Sequence, residues 1–256
     1  MTTNDNHKIL KTGSLKKTGA SYEIITLAPS DIPQILKLQD EVFDSLTADE
    51  QNFLLRKDKS FFENHFANGN IVLGIVSEGK LVAQSVILHP TAAQPKSGMT
   101  DMALDAKPEE VTVLQGVIVH PDYRGNKLMT FMVDEWLAVA NAQGRKHALA
   151  EVTTENFFSW TVFMKEGLGI HSLGCDKSDG TDLYNMYAEV APLMEKRLTG
   201  AFNSAAAVVK VPLLDLGSQK TLTEAGFLGV AFDAANQNIV FEAPKKAAKA
   251  PKAPKI

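Results

Sequence analysis

The stretch VIVHPDYRGNKLM, residues 117–129, decides the fold. It begins inside an apolar run, 111–119, which predicts a buried strand, and leads into residues 126–143, whose apolar positions recur at helical spacing. The first N–H groups of a helix lack partners within it, and the helix dipole adds partial positive charge there. A strand that turns directly into a helix is therefore expected to bind an anion such as a diphosphate. Gly125 allows close approach of the ligand, and Arg124 can add a charge-assisted contact.

Alternating strands and helices are predicted on both sides of this stretch. Upstream the pattern gives a strand at 21–27, helices at about 32–43 and 49–67, and a hairpin of strands 71–77 and 80–88. Downstream it gives strand 147–152, helix 156–166, strands 170–173 and 183–190, helix 191–198, strand 205–214, helix 218–225 and a hairpin over 226–242. Because strands and helices alternate after residue 111, near-parallel strands with crossover helices are expected in that part.

Four parts of the chain follow from this pattern. We expect a flexible N-terminal lead-in at 1–20, a main α/β domain at 21–190, a C-terminal α/β extension at 191–243 packed on the same domain, and a disordered basic tail at 244–256. No internal repeat is evident.

Composition narrows the classes of function. The 256 residues are 45% hydrophobic and 22% charged, and no apolar run reaches the length of a membrane span. The polar N-terminus has no secretory signal pattern, and a single cysteine excludes an internal disulfide, so a cytoplasmic location is expected.

Charge is distributed unevenly along the chain. The last twelve residues carry five lysines and no acid, a net charge of +5, and the first twenty carry a net charge of +3. Because the whole chain has a net charge of −4, the residues between these two ends carry a net charge of −12. Such an acidic body argues against nucleic-acid binding and agrees with a cationic or amine-bearing substrate, although charge can also serve solubility alone.

Two motifs together resemble those of the GNAT (GCN5-related N-acetyltransferase) superfamily. Its central signature is strand, V-x-P-x-x-R-G-x-G-x-G/A, then helix, and the matching residues here are Val119, Pro121, Tyr123, Arg124, Gly125 and Asn126. Its second signature, N-x-x-(S/A)-x-x-x-Y-x-k-x-G-F, is matched by Asn156, Ser159, Phe163, Lys165, Gly167 and Leu168. The order of elements also fits from residue 21 to about 190.

The resemblance implies the acyl-CoA N-acyltransferase fold, a mixed, V-split central sheet flanked by helices, here with a C-terminal α/β extension. Acetyl-CoA, as co-substrate, would enter the split between strands 111–119 and 147–152, and no metal is implied. The implied contacts are Val117, Ile118, Val119, Arg124, Gly125, Asn126, Lys127, Leu128, Met129, Asn156 and Ser159. The strand amides would stabilise the developing oxyanion.

Three positions depart from the family pattern. Lys127 replaces the second glycine of the turn, Met129 replaces the final Gly/Ala, and Phe163 replaces the tyrosine that protonates the departing thiolate in many members. Tyr184 and Tyr187, on the last strand of the main domain, are weak substitutes for that acid, and Glu151 is a weak candidate for the general base.

The implied function is transfer of an acetyl group from acetyl-CoA to an amine on a small molecule or a protein. The alternatives are a catalytically silent GNAT-like module that binds CoA or a partner, and an acyltransferase that uses longer acyl chains. Neither a nucleic acid nor a membrane is expected as partner, and a homodimer is left open. Simpler roles also stay open: a plain surface turn at Arg124, a helix N-cap at Asn156, a surface position at Ser159 and a solvated strand end at Glu151.

Overall fold

The computed structural model describes residues 7–48, 50–94, 104–177, 179–199 and 208–244, so most of the predicted tail at 244–256 lies outside the described residues. The strands within these ranges are β1 (Ile9–Ser14), β2 (Ser21–Thr26), β3 (Ile71–Ser77), β4 (Lys80–Leu88), β5 (Val111–Val119), β6 (His147–Thr153), β7 (Gly169–Cys175), β8 (Asp182–Glu189), β9 (Val208–Pro212), β10 (Leu228–Asp233) and β11 (Asn238–Glu242). The α-helices are α1 (Ile32–Asp44), α2 (Lys59–Ala67), α3 (Leu128–Ala142), α4 (Phe157–Lys165), α5 (Val190–Thr199) and α6 (Leu216–Glu224).

The strands form one mixed sheet in the order β1-β2-β3-β4-β5-β6-β8-β7-β10-β11-β9. Only β5 and β6 are parallel neighbours, and their register ends after three pairs, from Val111↔His147 to Val113↔Leu149. Beyond that point β5 stays paired with β4 and β6 stays paired with β8, so the two strands part. The predicted mixed, V-split sheet flanked by helices is confirmed.

A bulge in β5 accompanies the split. The register of β4 with β5 shifts between Gln84 and Val86, and Gly116 adopts a positive φ of 57°. The buried side-chain amide of Gln84 donates a hydrogen bond to the Gly116 carbonyl at 2.7 Å. A bulge bends its strand and increases local twist, which turns the second half of β5 away from β6.

Helices cover both faces of the sheet. On one face α3, α4 and α5 pack around Trp136 and Trp160, both fully buried, and the Trp136 indole donates to Thr112 Oγ1 at 2.9 Å. On the other face α1 and α2 cover β2 to β5 through Ile35 and Phe62. Truncating a buried tryptophan costs about 3–5 kcal/mol. The packing around Trp136 and Trp160 therefore holds α3 and α4 firmly against the sheet. Within the described ranges, no helix combines the length and apolar character of a membrane span.

The expected flexible lead-in at 1–20 is wrong for residues 9–20. Strand β1 pairs antiparallel with β2, and Leu15 in the connecting turn is 2% exposed in the core. On β2, Tyr22 stacks on Phe131 of α3 with ring centroids 5.2 Å apart. Because β1 has few apolar residues of its own, its order depends on partners that lie far away in the sequence.

The second predicted helix, 49–67, is shorter than expected. A short 3₁₀ turn occupies Glu50–Phe53, and α2 begins only at Lys59. The side chain of Asp58 accepts a hydrogen bond from the Phe61 N–H at 2.8 Å and caps the helix there. An aspartate placed three residues before a free N–H favours a new helix start over continuation.

The C-terminal extension repeats the strand and helix arrangement of the end of the main domain, which the sequence did not reveal. In the first unit, β6-α4-β7-β8, and in the second unit, β9-α6-β10-β11, the last strand lies between the first two. Asn156 and Asp215 cap the two helices by accepting from Ser159 N and Ser218 N at 3.1 and 3.0 Å. Eleven residues after each cap stands a glycine of positive φ, Gly167 at 94° and Gly226 at 83°. So few shared positions leave no visible repeat in the sequence.

Candidate acyl-CoA site

The turn after β5 is built from a short 3₁₀ segment, Pro121–Tyr123. The His120 ring accepts a hydrogen bond from Asp122 N at 3.2 Å and so caps this segment. Arg124 follows in an extended conformation with its side chain exposed. Gly125 then adopts φ 79°, a conformation that glycine takes without steric cost.

The start of α3 carries no cap. The N-cap residue, Lys127, makes no side-chain cap hydrogen bond, and the first intrahelical bond runs from Phe131 N to Lys127 O at 3.0 Å. In the described part of the chain nothing accepts from the N–H groups of Leu128, Met129 and Thr130. Unpaired donors at a helix start, combined with the helix dipole, fit a phosphate group. The residues present therefore fit the diphosphate of a CoA thioester.

The structure accommodates the two departures that lie in this turn, Lys127 and Met129. Lys127 occupies the left-handed region at φ 61° and ψ 26°, where a glycine is favoured, and its side chain is exposed. A non-glycine residue there costs about 1–2 kcal/mol. Met129 is partly buried and packs against the core beneath α3.

Two of the predicted contact residues turn their side chains into the protein. Asn126 is 2% exposed: its Oδ1 accepts from Lys17 N at 2.8 Å, and its Nδ2 donates to Tyr123 O at 3.0 Å. Leu128 is also 2% exposed, in the core under α3. These two residues can offer a ligand only backbone groups.

The free edge of β5 faces the split. His120 N donates to Val82 O on β4 at 2.9 Å, so the neighbouring backbone groups of Val119 point to the opposite side, away from β4. The same alternation applies to Val117, whereas Ile118 is paired with Gln84 and buries its side chain against the α1–α2 face. Because β6 has parted from β5 by this point, none of the described strands pairs with that edge.

Helix α4 lies on the far side of the split. Asn156 caps it, as its alternative interpretation predicted, and the bond to Ser159 N leaves the Ser159 hydroxyl partly exposed at the first turn. Phe163, at the position of the family tyrosine, is 2% exposed and packs edge-to-face on Trp136 at 6.5 Å. The position therefore supplies core packing and no proton.

The two predicted acid–base residues lie on opposite faces of the sheet. Tyr184 is fully buried beneath α4, and its hydroxyl donates to Gln219 Oε1 at 2.8 Å; burial raises its pKa to about 12. This placement gives Tyr184 no access to a thioester and corrects the expectation that it donates a proton. Glu151 is exposed on the other face, paired across the strands with Asn185.

A polar cluster lies near Glu151, and the sequence analysis did not predict it as a group. Tyr187 and His147 lie on the same face of the sheet, with the Tyr187 hydroxyl 3.0 Å from His147 Nδ1. The ring of His171 lies edge-on to Tyr187 at 5.2 Å. Burial, with the nearby Glu189 carboxylate, raises the pKa of Tyr187 to about 12, and burial lowers the pKa of His171. The signal was present in the alternation of the strands, because residues 147, 149 and 151 share one face.

Solved structures with the same fold are numerous. A provisionally assigned acetyltransferase from Acinetobacter baylyi ADP1 aligns with TM-score 0.50 and 15% identity over 67% of this chain and 93% of its own. A second such protein, from Salmonella typhimurium, was solved with acetyl-CoA as its cofactor and aligns with TM-score 0.49 and 15% identity over 66% and 94%. The ribosomal-protein-S18-alanine N-acetyltransferase from Escherichia coli aligns with TM-score 0.49 and 14% identity over 66% and 94%. No curated protein sequence matches the chain.

The sequence itself matches a family model. Residues 23–154 match the acetyltransferase (GNAT) domain, a span of just over half the chain that includes the whole β5–α3 turn and strand β6. Residues 7–22 and the second unit lie outside this match. The unpaired start of α3, the parted strands and the matched domain agree with one another. The chain belongs to the GNAT acetyltransferase family and is an acyl-CoA-dependent acyltransferase.

Proposed function

We propose that this protein transfers an acetyl group from acetyl-CoA to an amine by direct attack on the thioester. The observation that carries the proposal is the uncapped first turn of α3, which stands at the mouth of the split between β5 and β6. The N–H groups of Leu128, Met129 and Thr130 would hold the diphosphate, with Arg124 adding a charged contact. The pantetheine amide would pair with the free edge of β5 near Val119.

The transfer itself needs few side chains. The amine nitrogen bonds to the thioester carbonyl carbon, the C–S bond breaks, the amine loses a proton and the thiolate gains one. Holding both reactants in the split provides much of the rate, and the β5 amides facing the split stabilise the developing oxyanion. This scheme needs no metal and only modest acid–base assistance.

We assign that assistance to the polar face of β6 and β8. Glu151 lies on the exposed face beside the split and is our candidate for the base that takes the amine proton. Tyr187, in place of the buried Tyr184, is our candidate for the hydrogen-bond donor to the departing sulfur, since its raised pKa keeps the phenol protonated at neutral pH. Burial lowers the pKa of His171, so its imidazole ring, which lies beside Tyr187, is neutral at neutral pH.

The acceptor is proposed to be a cationic amine, on a small molecule or a protein. The chain outside its two ends carries a net charge of −12, which concentrates positively charged ligands near it. One cysteine in 256 residues agrees with a reducing compartment, so we place the reaction in the cytoplasm.

The first experiment measures acetyl-CoA binding and amine-dependent release of free CoA thiol. We expect acetyl-CoA to raise Tm by several degrees, as a ligand specific to the native state must, and a panel of di- and polyamines and lysine peptides to release CoA. Arg124→Glu should weaken binding by about 100-fold or more, because it places like charge beside phosphate. Lys220→Glu makes the same kind of charge reversal on exposed α6 and should change nothing.

Two outcomes would replace this proposal. Binding of acetyl-CoA without CoA release for any amine would favour the silent CoA-binding module, to which the buried Phe163 points. Faster turnover with octanoyl-CoA than with acetyl-CoA would favour a longer-chain acyltransferase. The exposed Phe157 and Phe158 at the start of α4, 38% and 79% accessible, offer apolar surface for such a chain. Absence of any CoA binding would refute all three.

A further inference from the structure

The turn of the N-terminal hairpin lies against the loop that opens α3. Lys17, between β1 and β2, donates its backbone N–H to Asn126 Oδ1 at 2.8 Å and its Nζ to the Arg124 carbonyl at 2.8 Å. A Cβ atom built on Gly125 would stand 2.6 Å from Lys17 Nζ. This residue, 109 positions before Asn126, therefore contacts every part of the loop from Arg124 to Asn126.

Several contacts hold the hairpin in this place. Tyr22 stacks on Phe131, one turn into α3, and the Lys11 ammonium lies 5.9 Å above the same ring and 3.9 Å from Glu135. Leu15, two residues before Lys17, is buried in the core under the sheet. The hairpin is thus anchored along the first half of the one helix whose start faces the diphosphate. A residue so placed can hold the loop before a ligand arrives.

Charge gives Lys17 a second property. The two other cations of this loop, Arg124 and Lys127, have exposed side chains. Within the described ranges Lys17 forms no ion pair, and the one hydrogen bond of its ammonium leaves two donors unused.

We propose that Lys17 is a positioning residue of the acyl-CoA site, which fixes the Arg124–Asn126 loop and adds an unneutralised positive charge beside the diphosphate. The proposal rests on the proposed function and goes beyond the matched family domain, which begins at residue 23. A cation beside the diphosphate offsets part of the repulsion that an acidic body exerts on an anionic ligand. The hairpin thereby becomes part of the binding site.

Three substitutions at one exposed position separate the two roles. Lys17→Met removes charge and donors but keeps the aliphatic stem, Lys17→Gln keeps a donor without charge, and Lys17→Arg keeps both. We expect the Kd of CoA to rise about tenfold for Lys17→Met, the loss expected for one charge-assisted contact. Lys17→Gln should fall between this variant and the wild type, and Lys17→Arg should bind within about twofold of the wild type. The matched control is Lys16→Met, one residue away, whose side chain is also exposed.

Two further readouts distinguish positioning from general stability. First, Lys17→Met should raise KM for acetyl-CoA and leave kcat at saturating acetyl-CoA unchanged. Second, the Kd of CoA should depend less on salt concentration in Lys17→Met and Lys17→Gln, but not in Lys17→Arg. Tm without ligand should stay unchanged. If Lys17→Met binds CoA as the wild type does while Arg124→Glu loses binding, Lys17 has no part in the site although the proposed function stands. If the wild type binds no CoA, the proposed function fails and this proposal with it.

Discussion

The two βαββ units share a plan but differ in their neighbours. In the first unit the outer strand, β6, runs parallel to β5 for three register pairs and then parts from it. In the second unit the outer strand, β9, pairs only with β11 and is the last strand of the described sheet. Both helices have an acid or amide cap, a serine three residues on and a glycine of positive φ at the end.

This difference separates scaffold from site. The cap, the helix and the strand order of a unit serve packing wherever the unit occurs. In our proposal, acyl-CoA binds where a unit meets a splayed parallel strand and the uncapped start of another helix, and among the described elements the first unit meets β5 and α3 in this way. Substitutions at equivalent positions of the two units should therefore affect stability alike, whereas only those in the first unit should affect acetyl-CoA.

The junction between the units gives the largest expected effect. Gln219 is fully buried; its amide donates to Pro212 O and Leu213 O at 3.0 and 2.9 Å and accepts from the Tyr184 hydroxyl. Gln219→Ala leaves the buried Tyr184 hydroxyl and the Leu213 carbonyl without these partners, although Asp215 N still donates to Pro212 O, and should lower the free energy of unfolding by about 4 kcal/mol. Tyr184→Phe, which strands only one acceptor, should cost about 1–2 kcal/mol.

Urea unfolding measures both losses at the Tyr184–Gln219 junction. KM for acetyl-CoA should stay at the wild-type value in each variant, since both residues are buried away from the split. A large fall in kcat with Tyr184→Phe would restore the phenol as a participant in transfer and contradict the separation of scaffold from site.

The terminal glycines should respond unequally to alanine. Both have positive φ, so either substitution carries about 1–2 kcal/mol of backbone strain. A Cβ on Gly167 would in addition overlap Leu193 of α5, whereas a Cβ on Gly226 would meet only Pro244 at an ordinary 3.7 Å. We expect Gly167→Ala to cost about 3 kcal/mol and Gly226→Ala about 1.5 kcal/mol.

Denaturant midpoints test the difference between the glycines, with Leu193→Ala as the control. If the overlap is real, the double variant Gly167→Ala/Leu193→Ala should be more stable than the sum of the single losses allows. Equal losses at the two glycines would mean that Leu193 moves aside freely and that α5 packs loosely on the first unit.

The helix caps separate stability from binding most directly. Asn156→Ala and Asp215→Ala each remove one side-chain bond to a serine N–H, and each should cost about 1 kcal/mol. Only Asn156→Ala should also raise KM for acetyl-CoA, by a few-fold, because α4 borders the split. A rise in both variants would show that the second unit takes part in binding; a rise in neither would leave Asn156 as a cap alone.

Much of this fold could be predicted from local patterns. The strands at 71–77, 80–88 and 111–119 match the structure residue for residue, because apolar runs bounded by turn residues define their ends. The turn that leads into the uncapped start of α3 could also be predicted, because it joins a strand directly to an amphipathic helix. Such features depend on neighbours a few residues apart.

Features that depend on distant partners were not accessible. Strand β1 is ordered by β2 and α3, and the bond between Lys17 and Asn126 spans 109 residues. The choice between Tyr184 and Tyr187 required knowing which face of β8 is covered. Being three residues apart on a strand, they point to opposite faces, and a sequence with apolar residues on both faces does not reveal which one is open.

The smallest expected effect concerns Lys127, the N-cap residue of α3, which lies outside both units. Its left-handed backbone would be relaxed in glycine, so Lys127→Gly should raise the free energy of unfolding by about 0.5–1 kcal/mol despite the greater entropy of the unfolded chain. Lys127→Ala keeps the strain, removes the ammonium and is the matched control for charge. If the ammonium contacts phosphate, both variants should bind acetyl-CoA a few-fold more weakly; if the side chain obstructs the turn, both should bind more tightly. An affinity gain in Lys127→Gly alone would instead assign the effect to backbone strain, because only glycine removes it.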